Sequence, residues 1–237
     1  MKPTETAVPV QEGFLIVDKP SGMTSFDVVA RLRRCLKVQK IGHGGTLDPF
    51  ATGVLVILVG RAFTKRADEF LADNKEYFTT FHLGEERDSH DIDGQVIATS
   101  DAIPSREEVE KTIQALQGIT EQIPPMFSAK KIGGKRLYEI ARKGGEVARL
   151  PCRVTISMDL VRYEYPEIDL RIRCSKGTYV RVIAHDLGIQ LGSYAYVKAL
   201  RRTRSGRFTI EESIPLQTLM NSEETLWSSL RHLFPTG

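Results

Sequence analysis

One carboxylate sits in the least ordinary stretch of this 237-residue chain. Gly42-His43-Gly44-Gly45-Thr46-Leu47-Asp48-Pro49-Phe50-Ala51-Thr52-Gly53 places four glycines and a proline around Asp48, and an apolar run from Val54 to Val59 follows. Glycine at this density predicts a backbone that turns tightly and lets another molecule come close. Pro49 disfavours right-handed helical backbone at Asp48, so the acid stands on an extended or turn residue. A carboxylate held in that way can serve as a nucleophile or a base. The commoner use of Asp-Pro is structural, with Asp as the N-cap of a helix and Pro at its first position. No Gly-Lys-Ser/Thr closes a phosphate loop here and no Gly-x-Gly-x-x-Gly is present, which argues against a nucleotide cofactor.

Metal and thiol chemistry find little support. Cys35, Cys152 and Cys174 are scattered and never fall in Cys-x-x-Cys pairs, which argues against a disulfide framework or a zinc site and suits a reducing cytoplasm. The acidic stretch Glu85 to Gly94 has the look of a calcium loop, but with Ser89 as first ligand the closing glutamate position holds Ser100. A glycoside hydrolase would need a second carboxylate paired with Asp48, and none is evident.

The elements around Asp48 follow from periodicity. Gly13 to Pro20 reads as a short strand ended by Lys19-Pro20, and Thr24 with Asp27 marks the start of a helix carrying Phe26, Val29, Leu32 and Leu36. Lys65 to Ala72 is expected to be a short helix, and Lys75 to Gly84 a strand with Tyr77, Thr79, Phe81 and Leu83 on one face. Ser105 and Glu108 form a capping box for a helix that Gly118 ends. Lys135 to Arg142 is expected as a helix, Arg153 to Tyr165 and Glu167 to Cys174 as neighbouring strands, and Val182 to Gln190 as a helix. Leu200 to Gly206 reads as a strand into a turn, and Pro215 to Met220 and Glu223 to Phe234 as short helices. No apolar run approaches the roughly 18–20 residues of a membrane span, and the N-terminus lacks a signal-peptide pattern.

The net charge of +3 is unevenly distributed. Residues 1–117 carry 14 Lys/Arg against 18 Asp/Glu, whereas residues 118–237 carry 19 against 12. Lys130 to Arg153 holds eight basic and two acidic residues, and Arg171 to Arg207 nine basic and one acidic. Scattered lysines and arginines are an ordinary solvated face; runs this dense favour a polyanionic partner such as nucleic acid.

The stretch Gly42 to Leu55 closely resembles the signature of the bacterial tRNA pseudouridine synthases of the TruB type. Further matching motifs are Asp18-Lys19-Pro20-x-Gly22, Lys75-x-Tyr77, Pro124-Pro125-x-Phe127-Ser128-Ala129 and Gly177-Thr178-Tyr179-x-Arg181, so the likeness spans nearly all of residues 12–210. Gly44 and Phe50 depart from the family's usual Thr and Leu without removing a chemical group. The resemblance implies an α/β (α+β) pseudouridine synthase fold, with a mixed, mainly antiparallel sheet flanked by helices and a central active cleft. It also implies isomerisation of the uridine of the tRNA TΨC loop, position 55, after base flipping. Asp48 would be the catalytic residue, Tyr77 would stack on the extruded base, and Arg181 would pair with Asp48. His43 is either the wedge filling the extruded nucleotide's place or an ordinary loop histidine. Lys19, Pro20, Tyr179, Lys130, Lys131 and Arg202 complete the expected substrate-binding set. No cofactor or metal is implied, no membrane is involved, and a cytoplasmic monomer bound to the TΨC arm is expected. Residues 1–210 would form the catalytic domain and residues 211–237 a short helical tail packed on it by Leu216, Leu219, Leu226 and Trp227, in place of a full PUA-type domain. A non-catalytic RNA-binding module would share the basic runs but gives no reason for Asp48, Tyr77 and Arg181 to occur together.

Overall fold

The computed structural model describes residues 12–71, 74–125, 128, 131–132, 135–136, 145 and 147–232. In chain order the strands are β1 (Gly13–Lys19), β2 (Ile41–His43), β3 (Thr52–Val59), β4 (Lys75–Leu83), β5 (Glu85–Arg87), β6 (Val96–Thr99) and β7 (Gly118–Gln122). They continue with β8 (Lys131–Ile132), β9 (Lys135–Arg136), β10 (Cys152–Glu164), β11 (Glu167–Cys174), β12 (Ala195–Ser205), β13 (Phe208–Thr209) and β14 (Ile214–Pro215). The helices are α1 (Ser25–Leu36), α2 (Arg61–Lys65), α3 (Ala67–Leu71), α4 (Arg106–Ala115), α5 (Val180–Gln190), α6 (Leu216–Met220) and α7 (Glu223–Ser228).

One sheet dominates, in the order β14-β1-β3-β12-β4-β11-β10-β7, with β2 on β3 and β13 on β12. Its pairings are antiparallel except β1 with β14 and β12 with β3. The fold is therefore the mixed, mainly antiparallel α/β arrangement that the motifs imply. Strand β3 lies at its heart and is apolar from Val54 to Val59 because both of its faces are covered there. Leu55, Ile57 and Val59 join the large core with α1, α5 and the inner face of β4. Val54, Val56 and Leu58 join a smaller cluster of Phe14, Phe63, Phe70 and Phe208 on the other side.

Local signals set most boundaries. Thr24 and Ser105 cap α1 and α4 in complete capping boxes, with Asp27 and Glu108 closing them. On β4 the residues Tyr77, Thr79, Phe81 and Leu83 are buried, as their alternation requires. Of the helix expected over Lys65 to Ala72, Lys65 is the last residue of α2, the chain turns at Arg66, and α3 covers Ala67–Leu71; Ala72 lies outside the described residues. Lys135 and Arg136 are not helical: they form β9, a two-residue strand paired with β8. Residues 137–142 of that expectation lie outside the described residues. At the C-terminal end Leu216, Leu219, Leu226 and Leu230 enter the large core, and Cys35 Sγ of α1 lies 3.8 Å from Met220 Sδ.

Candidate active site

Asp48 leaves the loop between β2 and β3. No helix starts there: the Ala51 N–H donates to the Asp48 carbonyl at 3.1 Å, closing a turn with Pro49 at its second position. Proline suits that position because its fixed φ is already the one such turns need. The N-cap alternative for Asp48 thus gives way to a turn that exposes the carboxylate.

Three buried side chains hold the turn. Ser25 Oγ accepts the Leu47 N–H at 2.9 Å and donates to the Leu47 carbonyl at 3.2 Å. Lys19 Nζ donates to the carbonyls of Pro20, Met23 and Pro49 at 2.8, 2.6 and 3.2 Å. Arg202 is 1% exposed; its Nε donates to Val54 O at 2.7 Å, and its terminal nitrogens donate to Thr46 O and Gly45 O at 3.2 Å. A turn has no ladder to satisfy its carbonyls, and burying them unpaired would be costly, so the two cations supply the missing donors. Burial lowers the Lys19 ammonium to about 8, against the pull of Asp48.

The carboxylate itself meets Arg181. Nε lies 3.0 Å from Oδ2 and Nη2 donates to Oδ1 at 3.1 Å, a fork-to-fork pair. Arg181 stands in the first turn of α5 with its side chain 4% exposed, while that of Asp48 is 32% exposed. Nη1 reaches back to Ser89 O at 3.3 Å and to Asp91 Oδ2 at 3.5 Å. Burial raises the Asp91 carboxyl above its ordinary value, with Ser89 and Arg181 opposing. Asp91 does not line the cleft, so it is not the facing acid that a glycosidase would need. Its part in fixing Arg181 escaped the sequence reading. An acid three residues before Gly94 looks like turn chemistry until the fold brings it against α5.

The cleft above Asp48 is about 240 Å³, lined among others by Thr46, Tyr77, Ser128, Tyr179, Arg181 and Arg202. Burial pushes the Tyr77 phenol above its ordinary range, with Arg202 working against it, so the hydroxyl stays protonated. Gln122 brackets the backbone of Tyr179, accepting its N–H at 3.0 Å and donating to its carbonyl at 3.4 Å. Asp48, Tyr77, Tyr179, Arg181 and Arg202 are therefore brought to one cleft. His43 ends β2 and does not line it. Lys19 and Pro20 line a second hollow, with Asp18, Arg31 and Arg201. Lys130 lies outside the described residues, and only the backbone of Lys131 is described, in β8.

The Arg171–Arg207 run is not one free positive face. Arg173 pairs with Glu76 and Asp159, Lys198 with Glu167, and Arg201 with Asp18. Arg181 and Arg202 are buried at the site. Lys176 on the rim of the cleft remains exposed.

Comparison with known proteins points one way. The model of the TruB family pseudouridylate synthase N-terminal domain matches residues 33–180, and that of the tRNA pseudouridylate synthase B C-terminal domain matches residues 181–234. The protein named tRNA pseudouridine synthase B of Chlamydia abortus is 51% identical, over 89% of this chain and 89% of its own length. Its namesake in Protochlamydia amoebophila is 50% identical over 91% of this chain and 83% of its own length. A chain in the crystal structure of a Cbf5-Nop10-Gar1 complex superposes with a TM-score of 0.73 at 28% identity, covering 94% of this chain; the match spans 60% of that longer chain.

Proposed function

The chain belongs to the TruB family of pseudouridylate synthases, and from that premise we propose that it converts the uridine of the TΨC loop of tRNA, position 55, to pseudouridine, with Asp48 as the catalytic carboxylate. The observation that carries the reading is the forked Asp48–Arg181 pair on the floor of a cleft walled by Tyr77. The name shared by relatives about half identical in sequence supports tRNA as the substrate.

The reaction breaks the bond from ribose C1′ to uracil N1 and makes one from C1′ to C5. The proton on C5 leaves and N1 takes one up, so atoms and charge balance without an oxidant or water. Attack on the ring, attack on the anomeric carbon and proton abstraction from the sugar all need the carboxylate ionised and aimed. Arg181 does the aiming: two nitrogens of its guanidinium meet the two carboxylate oxygens and fix their plane. Tyr77 offers a flat apolar face for the uracil and a protonated hydroxyl that keeps a proton to donate. The target uridine is stacked within a folded loop, so it must leave the stack to enter the cleft. Lys176 at the rim, with Lys130 and Lys131, would hold phosphates while it does.

With that assignment we infer a cytoplasmic monomer whose reaction uses neither metal nor cofactor. Residues 1–210 serve as the catalytic unit, with 211–237 as a tail anchored through Leu216, Leu219 and Leu226. The test is incubation with an unmodified tRNA transcript and mapping of pseudouridine at single-nucleotide resolution. Product at the TΨC uridine alone is expected, with affinity falling steeply as salt rises. Product elsewhere, or none, overturns the assignment.

A further inference from the structure

Beside the cleft, but not lining it, Glu86, His90 and His185 point one ligand atom each to a common spot, all within 4.8 Å of one another. We propose that these three side chains form a site for a divalent transition metal of the zinc class, and that its occupancy braces the loop on which Arg181 rests. The inference is independent of the reaction assigned to Asp48.

The geometry is near that of a bound state. Zinc takes imidazole nitrogen and carboxylate oxygen at about 2.0–2.2 Å, so two ligands of one tetrahedral ion stand roughly 3.3 Å apart. His185 Nδ1 and Glu86 Oε1 are 3.3 Å apart. The His90 ring lies over that of His185, with centroids 4.3 Å apart and planes 36° apart. Bringing the third atom to the ion takes a closure of about 1–1.5 Å, within reach of an imidazole rotation. His90 Nδ1 is buried and has no hydrogen-bond partner among the described residues. His90 also holds φ at 59°, a conformation uncommon for a residue other than glycine. Glu86 and His185 are 17% and 30% exposed, so an ion has a way in. Two imidazoles and one carboxylate with open positions left for water is a donor set that suits zinc, cobalt or nickel and not calcium or magnesium.

The neighbourhood tolerates the charge and transmits its effect. Arg181 is one helical turn before His185 on the same face of α5, but its charge is met by Asp48 and Asp91. Ser89 and Asp91, which flank His90, are the residues that Arg181 Nη1 touches. A metal joining Glu86 of β5, His90 of the loop and His185 of α5 would therefore fix both sides of the Arg181 socket.

The test is isothermal titration of the chelator-treated full chain with zinc chloride, with cobalt(II) absorption as a second readout. One equivalent is expected at micromolar affinity or better, with a cobalt spectrum of low coordination number and a rise in melting temperature. Glu86→Gln and His185→Asn should each weaken binding at least tenfold. Zinc should also shield His90 and His185 of the unaltered protein from an imidazole-modifying reagent, mapped by peptide mass, so the test survives a variant that fails to fold. Failure to bind, or binding that both variants leave unchanged without shielding of these two imidazoles, overturns the proposal.

Discussion

The carbonyl of Arg202 stands where a side chain on Gly53 would have to go, so these two residues can be neighbours only because one of them is glycine. Gly53 is the second residue of β3, with φ at 101°, and it is the Cα partner of Arg202 in the short parallel contact between β3 and β12. That contact carries the Arg202 guanidinium under the Asp48 turn. Gly53→Ala is expected to destabilise the fold by at least about 1–3 kcal/mol from backbone strain alone, and to cost activity beyond that. Denaturant unfolding with turnover at a temperature where the variant is folded checks both; unchanged turnover would show the turn to be independent of β12.

Asp48→Asn should abolish turnover while leaving fold and tRNA binding intact, because it keeps shape and hydrogen bonding and removes only the charge. Turnover within about tenfold of the unaltered enzyme, equivalent to about 1.4 kcal/mol of barrier, would remove Asp48 from the chemistry.

Arg181→Met leaves the buried Asp91 and the reactive Asp48 without their shared cation. It is expected to slow single-turnover conversion far more than it weakens binding, and to destabilise the fold by about 3–5 kcal/mol. Arg181→Lys should recover stability better than rate, since it returns a charge but not the fork. Loss of affinity alone, at full single-turnover rate, would make Arg181 a phosphate contact.

Arg202→Met removes three donors from the carbonyls of Gly45, Thr46 and Val54. Loosening the Asp48 turn should lower kcat by about 10²-fold, as misplacement of a reacting group does, with little change in the salt dependence of tRNA binding. A lower salt slope at unchanged kcat would instead mean that Arg202 meets phosphate directly.

Lys19 supplies the pH prediction. Its native value of about 8 lies below the ordinary 10.5, so the folded state gives up the proton first as pH rises. Folding then binds fewer protons than unfolding between those values, and stability due to this group increases from about pH 8 to 10.5. Below pH 8 the buried charge is a cost present in full. The stability of the unaltered chain relative to Lys19→Met should therefore improve across that window, by about 3 kcal/mol at most. A difference that is flat with pH would show the amine to be ordinary.

Where the sequence could be read, local chemistry was the reason. Thr24 with Asp27 and Ser105 with Glu108 announce their helices because capping is settled within four residues. The alternation of Tyr77, Thr79, Phe81 and Leu83 announces β4 in the same way. Asp48, Tyr77 and Arg181 were legible as a set only through motif resemblance, since nothing local says that residues 48 and 181 meet. Arg202 was expected among the groups that bind substrate; it lines the cleft and also reaches under the loop to three carbonyls, a second role that a run of arginines does not reveal. Asp91 and the Glu86–His90–His185 group stayed hidden for the opposite reason: their meaning arises from a helix about 100 residues further along the chain. Lys135 and Arg136 misled because a helical pattern of Leu and Tyr after them outweighed two residues that pair as a strand.

Separation along the chain has a consequence for synthesis. The Asp48 turn is made early, yet the groups that shape it arrive late: Arg181 lies 133 residues on and Arg202 lies 156 residues beyond Thr46. Until α5 and β12 have left the ribosome, the glycine-rich segment has neither its counter-ion nor its supporting guanidinium. Contacts so distant in sequence are also the slow ones to form. A nascent chain therefore carries the reactive acid without either support until residues 181 to 202 have emerged.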